Sequence, residues 1–213
     1  MTPDEVARYL QTNPSFFEKY ADQLSQINVP SPHGGRAIPL SDRQVLALRD
    51  KNRVLEGKLS ELIQYGEEND ALTAKTHRLS LALLWAHGVD SCVSALHSSL
   101  RDDFQIPHVA VRLWRGSESG PEFAAVSPAL REQVAALTRP YCGANNSIEA
   151  AGWFAAGPEH IRTIAMIPLG PQSDVFGVLV LASEDAKRFY AEMGTVYLER
   201  VGELAAASIA RFV

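Results

Sequence analysis

The sequence predicts an α+β protein: a helical N-terminal region, one long amphipathic helix, and an antiparallel sheet flanked by helices. Three observations carry this. No proline occurs between Pro39 and Pro107, and most of that stretch repeats its leucines at helical spacing. After Pro107 the apolar period shortens from helical to alternating. The last twenty residues return to the helical period.

The first helix is signalled by Thr2-Pro3-Asp4-Glu5, with Thr as N-cap, Pro at the first helical position and Glu at the third. A second start at Asn13-Pro14, with Asn13 as cap, is followed by Phe16, Phe17, Tyr20, Leu24 and Ile27 at helical spacing. An aromatic stripe of that size must dock, because each buried aromatic contributes roughly 2–3 kcal/mol. Pro30, Pro32, Gly34, Gly35 and Pro39 then forbid regular structure.

Ser41-Asp42-Arg43-Gln44 reads as a capping box opening the long helix. Val45, Leu48, Leu55, Leu59 and Leu62 share one face, and positions 48, 55 and 62 keep a spacing of seven. Asn69 continues that register, and a polar Asn on such a seam fixes register and strand number. Across 41–84 there are seven basic and seven acidic residues, a balanced solvated surface. A helix of this length, about 65 Å, is more than a small domain can cover on one face. A coiled-coil homodimer through Val45, Leu48, Leu55, Leu59, Leu62 and Asn69 is expected. Gly66 and Gly88 are the places for a bend or break.

Residues 85–104 continue helical, with Asp90 or Ser91 as a fresh cap after a break at Gly88. Val109, Val111 and Leu113 alternate with Ala110, Arg112 and Trp114 as a strand. A turn over 116–121 and a short strand over 122–126 follow, then a helix from Pro128 and a loop over 140–146 with a short strand at Tyr141. A weak helix at 147–154 precedes two strong strands, 161–169 and 175–182, joined by a hairpin-sized connection. A final helix is expected over 192–211. The domain layout is therefore 1–40 (hairpin and loop), 41–87 (rod) and 88–213 (sheet domain).

Thr163-Ile164-Ala165-Met166-Ile167-Pro168-Leu169, then a turn, then Phe176-Gly177-Val178-Leu179-Val180-Leu181 resembles the central hairpin of GAF domains. The whole chain resembles the family of domain of unknown function 484. The resemblance lies in Asn13-Pro14-Ser15-Phe16-Phe17, in Gly34-Gly35 through Leu40-Ser41-Asp42-Arg43-Gln44, and in Ser183-Glu184-Asp185-Ala186-Lys187-Arg188-Phe189 with Met193-Gly194-Thr195. The resemblance implies a helical N-terminal region plus a GAF-like domain, and brings no activity and no catalytic residue. The Asn-Lys…Phe…Asp-Glu set of the cyclic-nucleotide-binding type is not found. Cys92 precedes Val93 and Cys142 precedes Gly143, unlike the Cys-His of the bilin-binding type.

Composition narrows the function classes. The net charge of −5 and the lack of a basic run speak against nucleic acid as partner. Residues 1–10 carry Asp4 and Glu5 without an apolar core, and no window approaches the about 18 apolar residues of a membrane span. Two cysteines far apart suit a reducing cytoplasm. His87, Cys92 and His97, five apart, spread around a helix, so no metal site is expected there. Cys142 is expected to be inert, since no base lies near it in sequence.

In a GAF-like pocket, Trp114, Phe123, Tyr141, Trp153, Phe154, Thr163 and Ala165 are the candidate ligand-lining residues; the aromatics fit a filled core equally well. The size of neighbouring side chains puts the helix-packed face of the hairpin on the Ile164 and Met166 side, and any cavity on the Thr163 and Ala165 side. The functional expectation is a non-enzymatic sensor or regulatory adaptor, dimerised through the rod, with a small ligand or a protein as partner and no cofactor indicated. The alternatives are a small-molecule enzyme using the pocket, or a structural dimer with a filled core.

Overall fold

The computed structural model describes residues 2–25, 27–29, 38–116, 120–146, 148–155 and 157–213. The Pro- and Gly-rich segment at 30–37, the Ser41 cap, the turn residues 117–119 and Ser147 lie outside the described residues and side chains. The chain divides into two compact units, Met1–Glu67 and Glu68–Val213.

In the first unit, α1 (Pro3–Thr12) opens on the expected capping box: Glu5 N–H donates to Thr2 Oγ1, and Thr2 N–H donates to Glu5 Oε2. The following helical stretch is two short helices, α2 (Ser15–Lys19) and α3 (Ala21–Ser25). Asn13 does not cap α2. Its Nδ2 donates back to the Tyr9 carbonyl at 2.9 Å and closes the C-terminus of α1, where orphan carbonyls need donors. Phe16 gathers Tyr9, Phe17 and Tyr20, with centroids 6.2, 6.1 and 4.7 Å away. Two-residue strands β1 (Asn28–Val29) and β2 (Ile38–Pro39) pair antiparallel.

Helix α4 (Leu40–Trp85) passes through Gly57 and Gly66, and its residues beyond Glu67 belong to the second unit. The break comes at Gly88, whose φ of 107° lies in the left-handed region and caps α5 (Val89–Asp102). The expected side-chain cap there is absent; Ser91 Oγ instead donates to the Gly88 carbonyl.

The second unit is built on a four-stranded antiparallel sheet in the order β3-β6-β5-β4. Its strands are β3 (His108–Leu113), β4 (Tyr141–Ala144), β5 (Thr163–Leu169) and β6 (Gly177–Ser183). The β5–β6 hairpin is central, as its unbroken apolar sequence requires: every β6 residue is buried. Two expectations change. Residues 122–126 are not a strand; a 3-10 turn at Pro121–Phe123 occupies the start of this stretch and leaves Glu122 buried. Cys142 and Gly143 lie in a strand rather than a loop, paired with Ala165 and Ile164. Four residues are too few for period to reveal a strand; the β5 edge supplies the hydrogen bonds that make it one.

The sheet divides the core in two. On one face Ala165, Ile167, Leu169, Leu179 and Leu181 meet Leu79 and Leu83 of α4, Leu96 of α5, and Val201, Ala205 and Ile209 of α7 (Val196–Ile209). On the other, Ile164, Met166, Val178 and Val180 meet α6 (Pro128–Ala135) and a 3-10 turn at Glu149–Trp153. The hairpin therefore presents Ala165 and Ile167 to α7, the reverse of the size-based expectation. The room comes from α7: a Cβ at Gly202 would stand 2.4 Å from Ile167 Cγ2.

Candidate functional site

Two regions carry chemistry worth weighing. The first is the α4 face in the unit Met1–Glu67. Val45, Leu48, Leu55, Leu59 and Leu62 are all exposed, Leu55 at 52% and Leu62 at 66%. Together with Asn52, positions 45, 48, 52, 55, 59 and 62 alternate by three and four along the helix. That alternation is the signature of a coiled-coil seam. Lys51 and Glu56 flank it and are exposed. Arg53 pairs with Asp50 at 3.9 Å on the opposite side of the helix. Asn69 lies in the other unit, where its carbonyl accepts from Tyr197 Oη at 3.1 Å and from Thr73 Oγ1 at 2.8 Å. The spacing of seven at 48, 55 and 62 does not point to Asn52, which lies midway in the second row of sevens, between Val45 and Leu59.

The second region is the sheet domain. Of the candidate pocket residues, Trp114, Tyr141, Trp153 and Phe154 come together on the α6 face. Phe123 and Ala165 lie in the α7-side core, Ala165 with no exposed surface. Thr163 is buried, its hydroxyl donating to the Asp185 carbonyl at 2.7 Å. Trp114 Nε1–H donates to the Val175 carbonyl at 2.9 Å, and Arg131 lies over its ring. Arg112 stacks on Trp153, 4.7 Å from the ring centroid. Burial holds the Arg112 guanidinium below the usual arginine range, and the nearby Glu122 carboxylate opposes that shift.

Three cavities border these elements. A groove of about 500 Å³ runs between α7 (Gly202, Glu203, Ala206), the β5–β6 turn (Pro171, Gln172) and Arg139. One of about 590 Å³ is lined by Asn145, Glu149 and Glu159, and one of about 460 Å³ by Ser127, Gln133, Tyr141 and Glu149. Tyr141 is the one member of the aromatic set that lines any of these three. Both Glu149 oxygens accept from Ser127, one from its N–H and one from its hydroxyl.

Both thiols are buried and free. Burial pushes the Cys142 thiol up to about 11. Burial also raises Cys92, against a lowering hydrogen bond and charge from Arg211. Asp185 shapes a turn, its carboxylate accepting from Lys187 N–H and its carbonyl from Arg188 N–H, while the Arg188 guanidinium donates to the Phe104 carbonyl. Among the described residues, no group of three His, Cys, Asp or Glu side chains gathers as a metal site. Among them too, no helix is long and apolar enough to cross a membrane.

A family model described as "Protein of unknown function, DUF484" matches residues 1–213. The chain belongs to the DUF484 family. No curated protein matches this DUF484 chain. Among solved structures it is similar to the GAF domain of the potassium sensor histidine kinase KdpD from Escherichia coli. The match has 14% identity and a TM-score of 0.44, and covers 65% of the DUF484 chain and 93% of the other.

Proposed function

We propose that the protein is a non-enzymatic regulatory module: a GAF-like domain dimerised through its long helix and acting in a reducing cytoplasm. In this reading residues 1–40, 41–87 and 88–213 serve as hairpin, rod and responding domain. The exposed leucine seam of α4 carries the proposal. Water-exposed leucines at coiled-coil spacing lose roughly 25 cal/mol per Å² of burial they could have, and a partner helix recovers it. The free, buried thiols suit a reducing compartment.

The adaptor form of this reading is favoured over small-ligand sensing at the aromatic set. Phe154 is buried and Trp114 and Trp153 pack on the α6-side core. The enzyme alternative loses its best nucleophile, because a thiol pushed up to about 11 holds almost no thiolate near pH 7. Replacing Leu55→Asp together with Leu62→Asp should yield monomers in sedimentation equilibrium with the sheet domain still folded. An unchanged mass would remove the proposal's foundation. Native mass spectrometry of the protein from cells separates its two forms: a retained small molecule favours the sensor, none favours the adaptor.

A further inference from the structure

Resting on the dimeric reading above, we infer that the partner on the α4 seam is a second copy of this chain, aligned parallel and in register over residues 45–62. Two observations choose that alignment. The first is Asn52, the one polar residue among the six seam positions. In a parallel, in-register pair each seam residue meets its own counterpart. Asn52 then faces the partner's Asn52, and each side-chain amide finds a donor and an acceptor. The antiparallel alignment that sets Leu48 against the partner's Leu59 puts Asn52 against the partner's Leu55. It leaves two amides buried without partners, a costly arrangement.

The second observation is the flanking charge. Lys51 and Glu56 border the seam on opposite sides, five residues apart. In the parallel pair Lys51 faces the partner's Glu56, and Glu56 faces the partner's Lys51, so two attractive contacts form. In the antiparallel pair Arg49 faces the partner's Glu56, which is attractive, but Lys51 faces the partner's Lys58. Each attraction is then matched by a repulsion. Polar pairing and charge select the same alignment.

Cross-linking in the full chain tests it. Leu48→Cys should oxidise to a disulfide-linked dimer, and so should Leu59→Cys. The native Cys92 and Cys142 are buried and stay out of the reaction. Chains carrying each variant, mixed, dissociated and reoxidised together, should yield cross-links between identical positions and none between 48 and 59. A 48-to-59 product from a sample that sediments as a dimer overturns the parallel alignment and leaves the dimer standing. A dimer that cross-links at neither position overturns the seam's register. A monomer removes this inference and the dimeric reading together. Asn52→Val should tighten association and admit species larger than a dimer; unchanged association and size would show that Asn52 does not sit in the seam.

Discussion

Leu55 and Leu179 are the same side chain in two environments. Leu55 is 52% exposed on α4, and Leu179 is fully buried in β6. The strand leucine is covered because its sheet has helices on both faces, so each alternate residue meets a layer. The seam leucines lie on a helix face that the unit Met1–Glu67 does not cover. Periodic leucines thus mark a surface to be buried without saying who buries it. In β6 the chain's own helices do so; on α4 the unit leaves the seam leucines exposed.

The largest effect that could break this contrast is a cavity. Leu179→Ala should cost about 2–5 kcal/mol, seen as a lower urea midpoint at every protein concentration. Leu55→Ala should leave that midpoint nearly unmoved and weaken association instead. Equal, concentration-independent losses at both sites would mean that the seam is internal core after all.

A second test sharpens the picture of the sheet domain. The folded thiol of Cys142, at about 11, stands above the about 8.5 expected of an unfolded one. A raised folded pKa contributes stability that is fully present below about pH 8.5 and is lost as pH rises through 11. Urea midpoints between pH 7 and 11 should therefore fall less steeply in Cys142→Ala than in the native chain. Near pH 7 native Cys142 should alkylate more slowly than an exposed thiol. Parallel alkaline slopes, or fast alkylation, would place Cys142 in a more polar setting.

The smallest effect concerns how α7 is held to residues 68–85 of α4 within the sheet unit. Tyr197 Oη donates to the Asn69 carbonyl at 3.1 Å and lies 3.2 Å from the Thr73 hydroxyl. Tyr197→Phe should cost about 0.5–1.5 kcal/mol in thermal unfolding of that unit and leave the sedimenting mass unchanged. A change in mass would tie this contact to assembly.

Period and local chemistry carried much of the architecture. The helical leucines of α4, the alternation in β3, the apolar runs of β5 and β6 and the Thr2 capping box all act within a few residues, so they can be read in order along the chain. The candidate site was less legible. Trp114, Tyr141, Trp153 and Phe154 do gather on one face, yet Ala165 and Phe123 belong to the other. Asn52 was legible in principle, since a three-four alternation needs no structure to count.

The sequence by itself determined the long helices α4, α5 and α7, the strands β3, β5 and β6, and that α4 carries an apolar seam. Only the tertiary structure decided which face of β5 receives α7, that Cys142 is drawn into β4, and that a 3-10 turn stands at Pro121–Phe123 where a strand is expected from Glu122. Alternation sorts β5 into two sets without ranking them. The choice between the sets is made by shape, where Gly202 leaves room for Ile167. That complementarity joins residues far apart in the chain, and no local pattern encodes it.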